Sequence, residues 1–447
     1  MSGVSVRLAH GSAQQLSFFW NGQPLMGRAG DHVAAALLAN GVRTLAWSRK
    51  LHRPLGLSGS YVSGVLARVD GVPNVRLDQV QLREGMRVDM QNCWPHPRLD
   101  LLRLARCIPA RWVQGGFEHS RLIPSGTWLF QAWERLLAFL AGVARPADRL
   151  RAEAWSIPDG KAMTCQVLVI GAGPAGCAAA NAAARQGQDV LLVTRGARPG
   201  SLATAAGLTL PPLSPRVRRL SGVEVAGAYR DGGLLLGVPI DPAQGALALS
   251  AEHVVLATGA RSCAPLVPGG WLPGVMDARC ALTLAHECAV APGRAVVVVG
   301  SGDELAVAQR LRELGVTVVA VRSLSRLRRV IGRQRVRQVQ FEDTLKCDAL
   351  VHAGPWLSEA SLQFQSAAAG LDQLRGGWSR FGRVGRAAQA DQSLLVSPLE
   401  PLLLCPCMDV SGQEVAGLLP RPTLRPPRRH LTVAQAAGLV DTVEPLQ

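Results

Sequence analysis

Gly171, Gly173 and Gly176 stand in the spacing Gly-x-Gly-x-x-Gly, directly behind the apolar run Val167-Leu168-Val169-Ile170. Ala172, Pro174 and Ala175 fill the gaps, and a small-residue stretch from Cys177 to Ala184 follows. A strand, a tight turn and a helix in that order make a cradle for the pyrophosphate of a dinucleotide. The first glycine permits the turn, the second lets backbone approach phosphate, and the third lets the helix pack against the strand. Free N–H groups and the partial positive charge at the helix start favour the anion. The plainer alternative is a structural glycine turn that holds no ligand.

The surrounding residues must supply the rest of such a site. About 20 residues beyond the glycines, an acidic side chain at the end of the second strand is expected to accept the ribose hydroxyls. Here that strand reads Asp189-Val190-Leu191-Leu192-Val193-Thr194-Arg195, so Thr194 takes the acidic position and Arg195 follows it. A hydroxyl can bond a ribose, and an arginine favours a phosphorylated one. Val254-Val255-Leu256-Ala257-Thr258-Gly259-Ala260 reads as a closing strand that returns beside the cofactor, with Gly259 giving it room. A second strand and turn begin at Ala295 and reach Gly300-Ser301-Gly302-Asp303-Glu304-Leu305. Leu305 replaces the third glycine there, and the two carboxylates oppose a phosphate. That unit is read either as a second dinucleotide site through Gly300 and Gly302 or as an inherited fold without ligand.

Composition narrows the class. The chain has 447 residues and a net charge of +16, enough length for two or three domains. Such charge suggests nucleic acid. Only three of the 48 basic residues are lysines (Lys50, Lys161, Lys346), and the arginines are scattered, with clusters at Arg322–Arg337 and Arg421–Arg429. Few aromatic residues accompany them, so stacking platforms for bases are not evident. An acidic partner subunit or an anionic cofactor is expected instead, with no nucleic acid. The ten cysteines form no regular framework and Met1-Ser2-Gly3-Val4-Ser5 opens no apolar signal core, which points to a reducing, cytoplasmic compartment. The best candidate for a membrane span, Trp128 to Val143, is broken by Gln131, Glu134 and Arg135. It falls short of the roughly 18 apolar residues that a span needs. No Ser/His/Asp or metal constellation stands out, so no catalytic residue and no metal site is expected.

The expected architecture is α/β. Residues 1–92 read as a β-grasp, ferredoxin-like domain. Leu16–Trp20 and Gln23–Leu25 flank an Asn21-Gly22 turn, and a short helix from Val33 stops at Asn40-Gly41. Strand-like pieces follow at Tyr61–Val69 and Arg87–Met90. A cluster there needs four thiolates, and no cysteine precedes Cys93, so the domain is expected to be cysteine-free and without an iron–sulfur cluster. Residues 93–160 form a connector with an amphipathic helix near Trp128–Leu140. A Rossmann-like FAD/NAD(P)-binding domain is expected over 161–290 and 350–404, with the second Rossmann-like unit inserted at 291–349. Residues 405–447 read as a truncated tail. Its Cys405-Pro406-Cys407 lacks the further cysteines that a [2Fe–2S] cluster requires.

Several stretches carry a family resemblance. They are Gly30-Asp31, Ala36-Leu37-Leu38-Ala39-Asn40-Gly41-Val42, His52-Arg53-Pro54-Leu55-Gly56 and Pro73-Asn74-Val75-Arg76. Gln91-Asn92-Cys93-Trp94-Pro95, Gly116-Phe117 and Trp271-Leu272-Pro273-Gly274-Val275-Met276 continue the series. Over most of residues 16–410 the chain resembles the alpha subunit of heterotetrameric sarcosine oxidase. It is similar as well to the flavoprotein subunits of hydrogen cyanide synthase and of opine and hydroxyproline dehydrogenases. The resemblance implies a heteromeric oxidoreductase acting on a secondary amine or amino acid, with amine oxidation on the flavin of a separate beta-type subunit. It implies FAD or NAD at the first site, an FMN shared with a partner subunit, and small subunits as further partners. Cofactor contacts are expected from Gly171, Ala172, Gly173, Pro174, Ala175, Gly176, Thr194, Arg195, Ala257, Thr258, Gly259, Gly300 and Gly302.

Some features depart from that family. Only about 20 residues separate Gly200 from Val223, where a longer helix and loop are usual. On that resemblance the stretch up to Gln447 is expected to leave no room for a folate-binding C-terminal domain. A non-catalytic scaffold subunit that kept the fold is therefore the alternative, and a self-sufficient NAD(P)H-dependent flavin reductase a third. A Cys-x-x-x-x-Cys redox pair beside the flavin does not occur.

Overall fold

The computed structural model describes residues 6–9, 14–48, 52–59, 65–97, 99–107, 128–140, 159–229, 235–241 and 244–359. Short pieces at 361–362, 365, 378–380, 403–405 and 410–411 complete the description. The chain divides into two compact units: Met1–Glu153 with Ala264–Gly354 and Gln389–Gln447, and Ala154–Cys263 with Pro355–Ala388.

In the first unit, Gln15–Trp20 and Gln23–Arg28 form an antiparallel hairpin. Asn21 and Gly22 both take positive φ, 48° and 76°, as a two-residue turn matched to strand twist requires. Met86–Met90 lies parallel to the first strand, then Leu66–Val69 and Val72–Arg76 extend the sheet. The helix Val33–Ala39 is buried along its whole length, and its N-cap His32 accepts the N–H of Ala35. Hairpin, helix and returning strands make the β-grasp order. Tyr61 to Gly64 and Gly116-Phe117 lie outside the described residues. The helix Trp128–Leu140 is present as expected.

The same unit contains a four-stranded parallel sheet in the order Val275–Asp277, Ala349–Ala353, Val296–Gly300, Val318–Ser323. Val296 to Val299 are fully buried, as a parallel strand covered on both faces must be. The sheet ties to the β-grasp module through Asp348. That carboxylate accepts the N–H groups of Arg294 and Ala295 and meets Arg43 at 3.2 Å. Expected boundaries move accordingly. Val275–Asp277, the helix Ala278–Glu287 and Ala349–Ala353 hydrogen-bond and pack with the second sheet, so the second Rossmann-like unit takes in residues 264–354.

In the other unit the strand order is Val217–Ser221, Val190–Thr194, Lys161–Ile170, Leu247–Leu256, Leu235–Pro239, Val223–Ala228. The first four run parallel. Strand alternation sorts the apolar run into two layers. Val167, Val169, Val190 and Leu192 pack on the helix through Cys177, Ala180 and Ala184. Leu168, Ile170, Leu191 and Val193 face Val223, Leu235 and Leu249 instead. Both faces of the strand are thereby buried, and the glycine loop emerges at its carboxyl end.

Candidate functional site

The loop after Lys161–Ile170 assigns its three glycines three different tasks. Gly171 has φ +102°, and a Cβ there would lie 2.3 Å from the Ala257 carbonyl oxygen. At Gly176 a Cβ would meet the Gly171 oxygen at 1.8 Å. Neither position admits a side chain, because strand, turn and helix are pressed together. Gly173 differs: nothing lies within 4 Å of the Cβ position. The space is open on the side from which a ligand would reach the backbone.

The helix Pro174–Arg185 begins without a side-chain cap and without an acidic residue in its first turn. Pro174 has no N–H to satisfy, and Ala172 is buried behind the turn, its carbonyl accepting from Gly200 at 2.8 Å. Ala175 N–H and Gly176 N–H therefore start a helix that carries no internal anion. The closing strand stands beside it: Ala257 N–H bonds the Ile170 carbonyl at 2.8 Å. Thr258 Oγ1 donates to the Glu359 carbonyl at 2.8 Å. Gly259, at φ +75°, again has open space at its Cβ position. Gly173 and Gly259 each leave room for a ligand beside their backbone, and the residues present fit a pyrophosphate.

Thr194 ends its strand as expected, but its Oγ1 accepts the N–H of Gly196 at 3.3 Å. Arg195 pairs with Glu224 at 3.3 Å, both side chains a little over one-third exposed. Glu224 escaped the sequence reading because it arrives from a strand 30 residues on; only the three-dimensional turn at Gly222 brings it here.

The second glycine loop is built otherwise. Gly302 takes φ +128°, yet its N–H is bonded by Glu304 Oε2 at 2.6 Å. The Glu304 Cβ lies 2.9 Å from a Cβ position on Gly300, so Glu304, not Leu305, occupies the place against the first glycine. Leu305 is 71% exposed. The helix begins four residues after Gly300, against three after Gly171, and its first residue, Glu304, is the one that meets the glycine. With a carboxylate holding the loop N–H, Gly300 and Gly302 do not fit a pyrophosphate.

Thiols near the first loop are quiet. Cys177 donates to the Ala172 carbonyl at 3.4 Å, and burial pushes its pKa up; Cys263 is raised by the same cause. Among the described residues no group of three or more His, Cys, Asp or Glu side chains could hold a metal ion. Among them no helix is long and apolar enough to cross a membrane.

Comparison with known proteins places this geometry. Residues 165–342 match the family model for pyridine nucleotide-disulphide oxidoreductase, and residues 13–93 match the 2Fe-2S iron-sulfur cluster binding domain. The chain is similar to sarcosine oxidase subunit alpha of Rhizobium meliloti (strain 1021), 32% identical over 342 residues, which is 68% of this chain and 34% of that protein. Its fold is similar to that of L-proline dehydrogenase from P. horikoshii. The TM-score is 0.59 at 21% identity, covering 82% of this chain and 65% of that one. The chain therefore spans about a third of the length of its curated relative. Both relatives are oxidoreductases by name, one of an amine and one of an amino acid.

The domain match corrects the cofactor expectation. An iron–sulfur module was not expected, whereas residues 13–93 are of a 2Fe-2S binding type. The matched span also includes Cys93, so the domain is not cysteine-free. Cysteine counting weighed thiolates alone, while the family match covers the whole module. A [2Fe–2S] cluster takes four such ligands, and Cys93 is the sole cysteine within 13–93. Its thiol donates to the Met90 carbonyl and burial pushes its pKa up to about 12. Cys93 alone does not supply the four ligands of the group. Cys407 of the tail pair lies outside the described residues.

Proposed function

We propose that this chain is the dinucleotide-binding subunit of a heteromeric oxidoreductase that oxidises a secondary amine or amino acid. The open cradle at Gly173 carries the reading. It leaves free backbone N–H groups, a helix N-terminus without a carboxylate, and room for phosphate. Gly171 and Gly176 shape the turn, Ala172, Pro174 and Ala175 complete it, and Ala257-Thr258-Gly259 walls it. A bound FAD or NAD supplies the redox chemistry, and the chain's residues bind and orient it. Amine oxidation is assigned to a beta-type flavoprotein subunit, with an FMN shared between chains and small subunits as further partners. Similarity to the sarcosine oxidase alpha subunit supports that assignment.

The scaffold alternative draws on a separate observation, the Glu304 carboxylate that fills the second loop. One preparation decides between the two. The full chain is purified alone and together with a beta-type subunit, its visible spectrum recorded, and its cofactor released by denaturation. One FAD or NAD per chain is expected. A complex that assembles with no dinucleotide on this chain establishes the scaffold.

A further inference from the structure

The first site lacks a carboxylate at the end of its second strand, and a neighbouring strand brings one to that place. We propose that Glu224 is the ribose-accepting residue of this site, held in position by Arg195, and that it selects an unphosphorylated ribose. The proposal rests on the dinucleotide reading of the glycine loop.

Three observations support it. Thr194 stands where the acid is required, but its hydroxyl is engaged by the Gly196 N–H. One hydroxyl also cannot match the two oxygens that a carboxylate offers to a ribose diol. Second, the turn after Thr194 is stitched to the next strand boundary: Gly222 N–H bonds the Gly196 carbonyl at 3.2 Å. Gly222, at φ +71°, joins Ser221, the register partner of Thr194, to Val223 at the start of the next strand. Third, Val223 is buried in the core, so strand alternation turns Glu224 to the opposite side. There Arg195 Nη1 meets Glu224 Oε1 at 3.3 Å, and both side chains keep more than a third of their surface in solvent. Among the described residues the pair engages one carboxylate oxygen.

This arrangement determines selectivity. A carboxylate in the ribose position accepts the 2′-hydroxyl and repels a 2′-phosphate. Were Arg195 instead the ligand-binding group, the preference would reverse.

Isothermal titration of the full chain with NAD+, NADP+ and FAD tests this at fixed ionic strength. Wild type should bind NAD+ at least about tenfold more tightly than NADP+. Glu224→Gln should weaken NAD+ by about 10- to 100-fold, the range of a hydrogen bond to a charged group. It should also erase the preference over NADP+. Arg195→Ala should weaken NAD+ less than Glu224→Gln does and narrow the same ratio, since it only positions the carboxylate. An unchanged melting temperature in both variants verifies the fold. NADP+ binding as tightly as NAD+ in wild type, or NAD+ affinity within twofold in Glu224→Gln, overturns the proposal. Failure of wild type to bind NAD+ or FAD at all overturns the glycine-loop reading itself, a result that the selectivity outcomes cannot mimic.

Discussion

The two glycine loops of this chain share a shape and differ in what they leave free. In the first, residue 176 packs against Gly171 and Gly173 faces open space. In the second, Glu304 packs against Gly300 and turns its carboxylate back onto the Gly302 N–H. The strand, turn and helix survive in both, because burial of Val167–Ile170 and Val296–Val299 stabilises them irrespective of any ligand. Anion binding requires something further, an N–H group with no internal acceptor. Fold and site are thus separable properties of the same motif.

The largest expected effect tests the open side. Gly173→Val places three methyl-sized groups where no protein atom lies within 4 Å. Dinucleotide affinity should fall by more than about 1,000-fold, roughly 4 kcal/mol, while thermal stability barely moves. Retention of cofactor by this variant would dismiss the cradle. Gly176→Ala acts in the opposite sense. Its Cβ would lie 1.8 Å from a backbone oxygen, and overpacking of this kind costs about 1–3 kcal/mol or more. A denaturation midpoint equal to wild type would show that the helix can shift away from the strand.

How far these features were readable depends on whether they are local. The Asn21-Gly22 hairpin and the separate tasks of Gly171, Gly173 and Gly176 follow from backbone rules within a few residues, and they were legible. Glu224 was not, since a turn at Gly222 and a core valine decide where it points. Counting five positions from Gly300 led to Leu305, but the helix register places Glu304 against the first glycine. Val275–Asp277 was set in the wrong domain because its partner strand, Ala349–Ala353, lies some 70 residues away. The ferredoxin-like type of the N-terminal domain was legible, but counting cysteines led to the exclusion of a cluster, whereas residues 13–93 match the 2Fe-2S cluster binding family.

A titratable group distinguishes the second sheet as well. His352 sits on its central strand, 3% exposed, with Nδ1 3.3 Å from the Gly354 carbonyl. Burial is the main cause that pushes its pKa down to about 4, against the usual 6.5; the Gly354 contact opposes it. Below pH 6.5 the unfolded chain takes up a proton that the folded chain refuses. Stability is therefore complete above 6.5 and declines as pH falls toward 4. At pH 5 the loss amounts to about 2 kcal/mol. His32, lowered mainly by burial, adds in the same direction. Urea unfolding at pH 7.5 and 5.0 should show this loss in wild type and a smaller one in His352→Gln. An equal loss in both would mean that water reaches the imidazole.

The smallest effect bears most directly on why one loop is open and the other closed. Glu304→Ala removes the acceptor from the Gly302 N–H. Because Gly302 is exposed, water replaces much of the bond, and about 1 kcal/mol or less of stability should be lost. The vacated N–H then faces a helix start whose carboxylate has gone. Inorganic phosphate at about 50 mM should restore more of the melting temperature in Glu304→Ala than it adds to wild type, whose response comes from the first loop alone. A phosphate response identical in the two proteins would show that helix register, and not the carboxylate, closes the second loop. The difference between the loops would then lie in the backbone, beyond repair by one side chain.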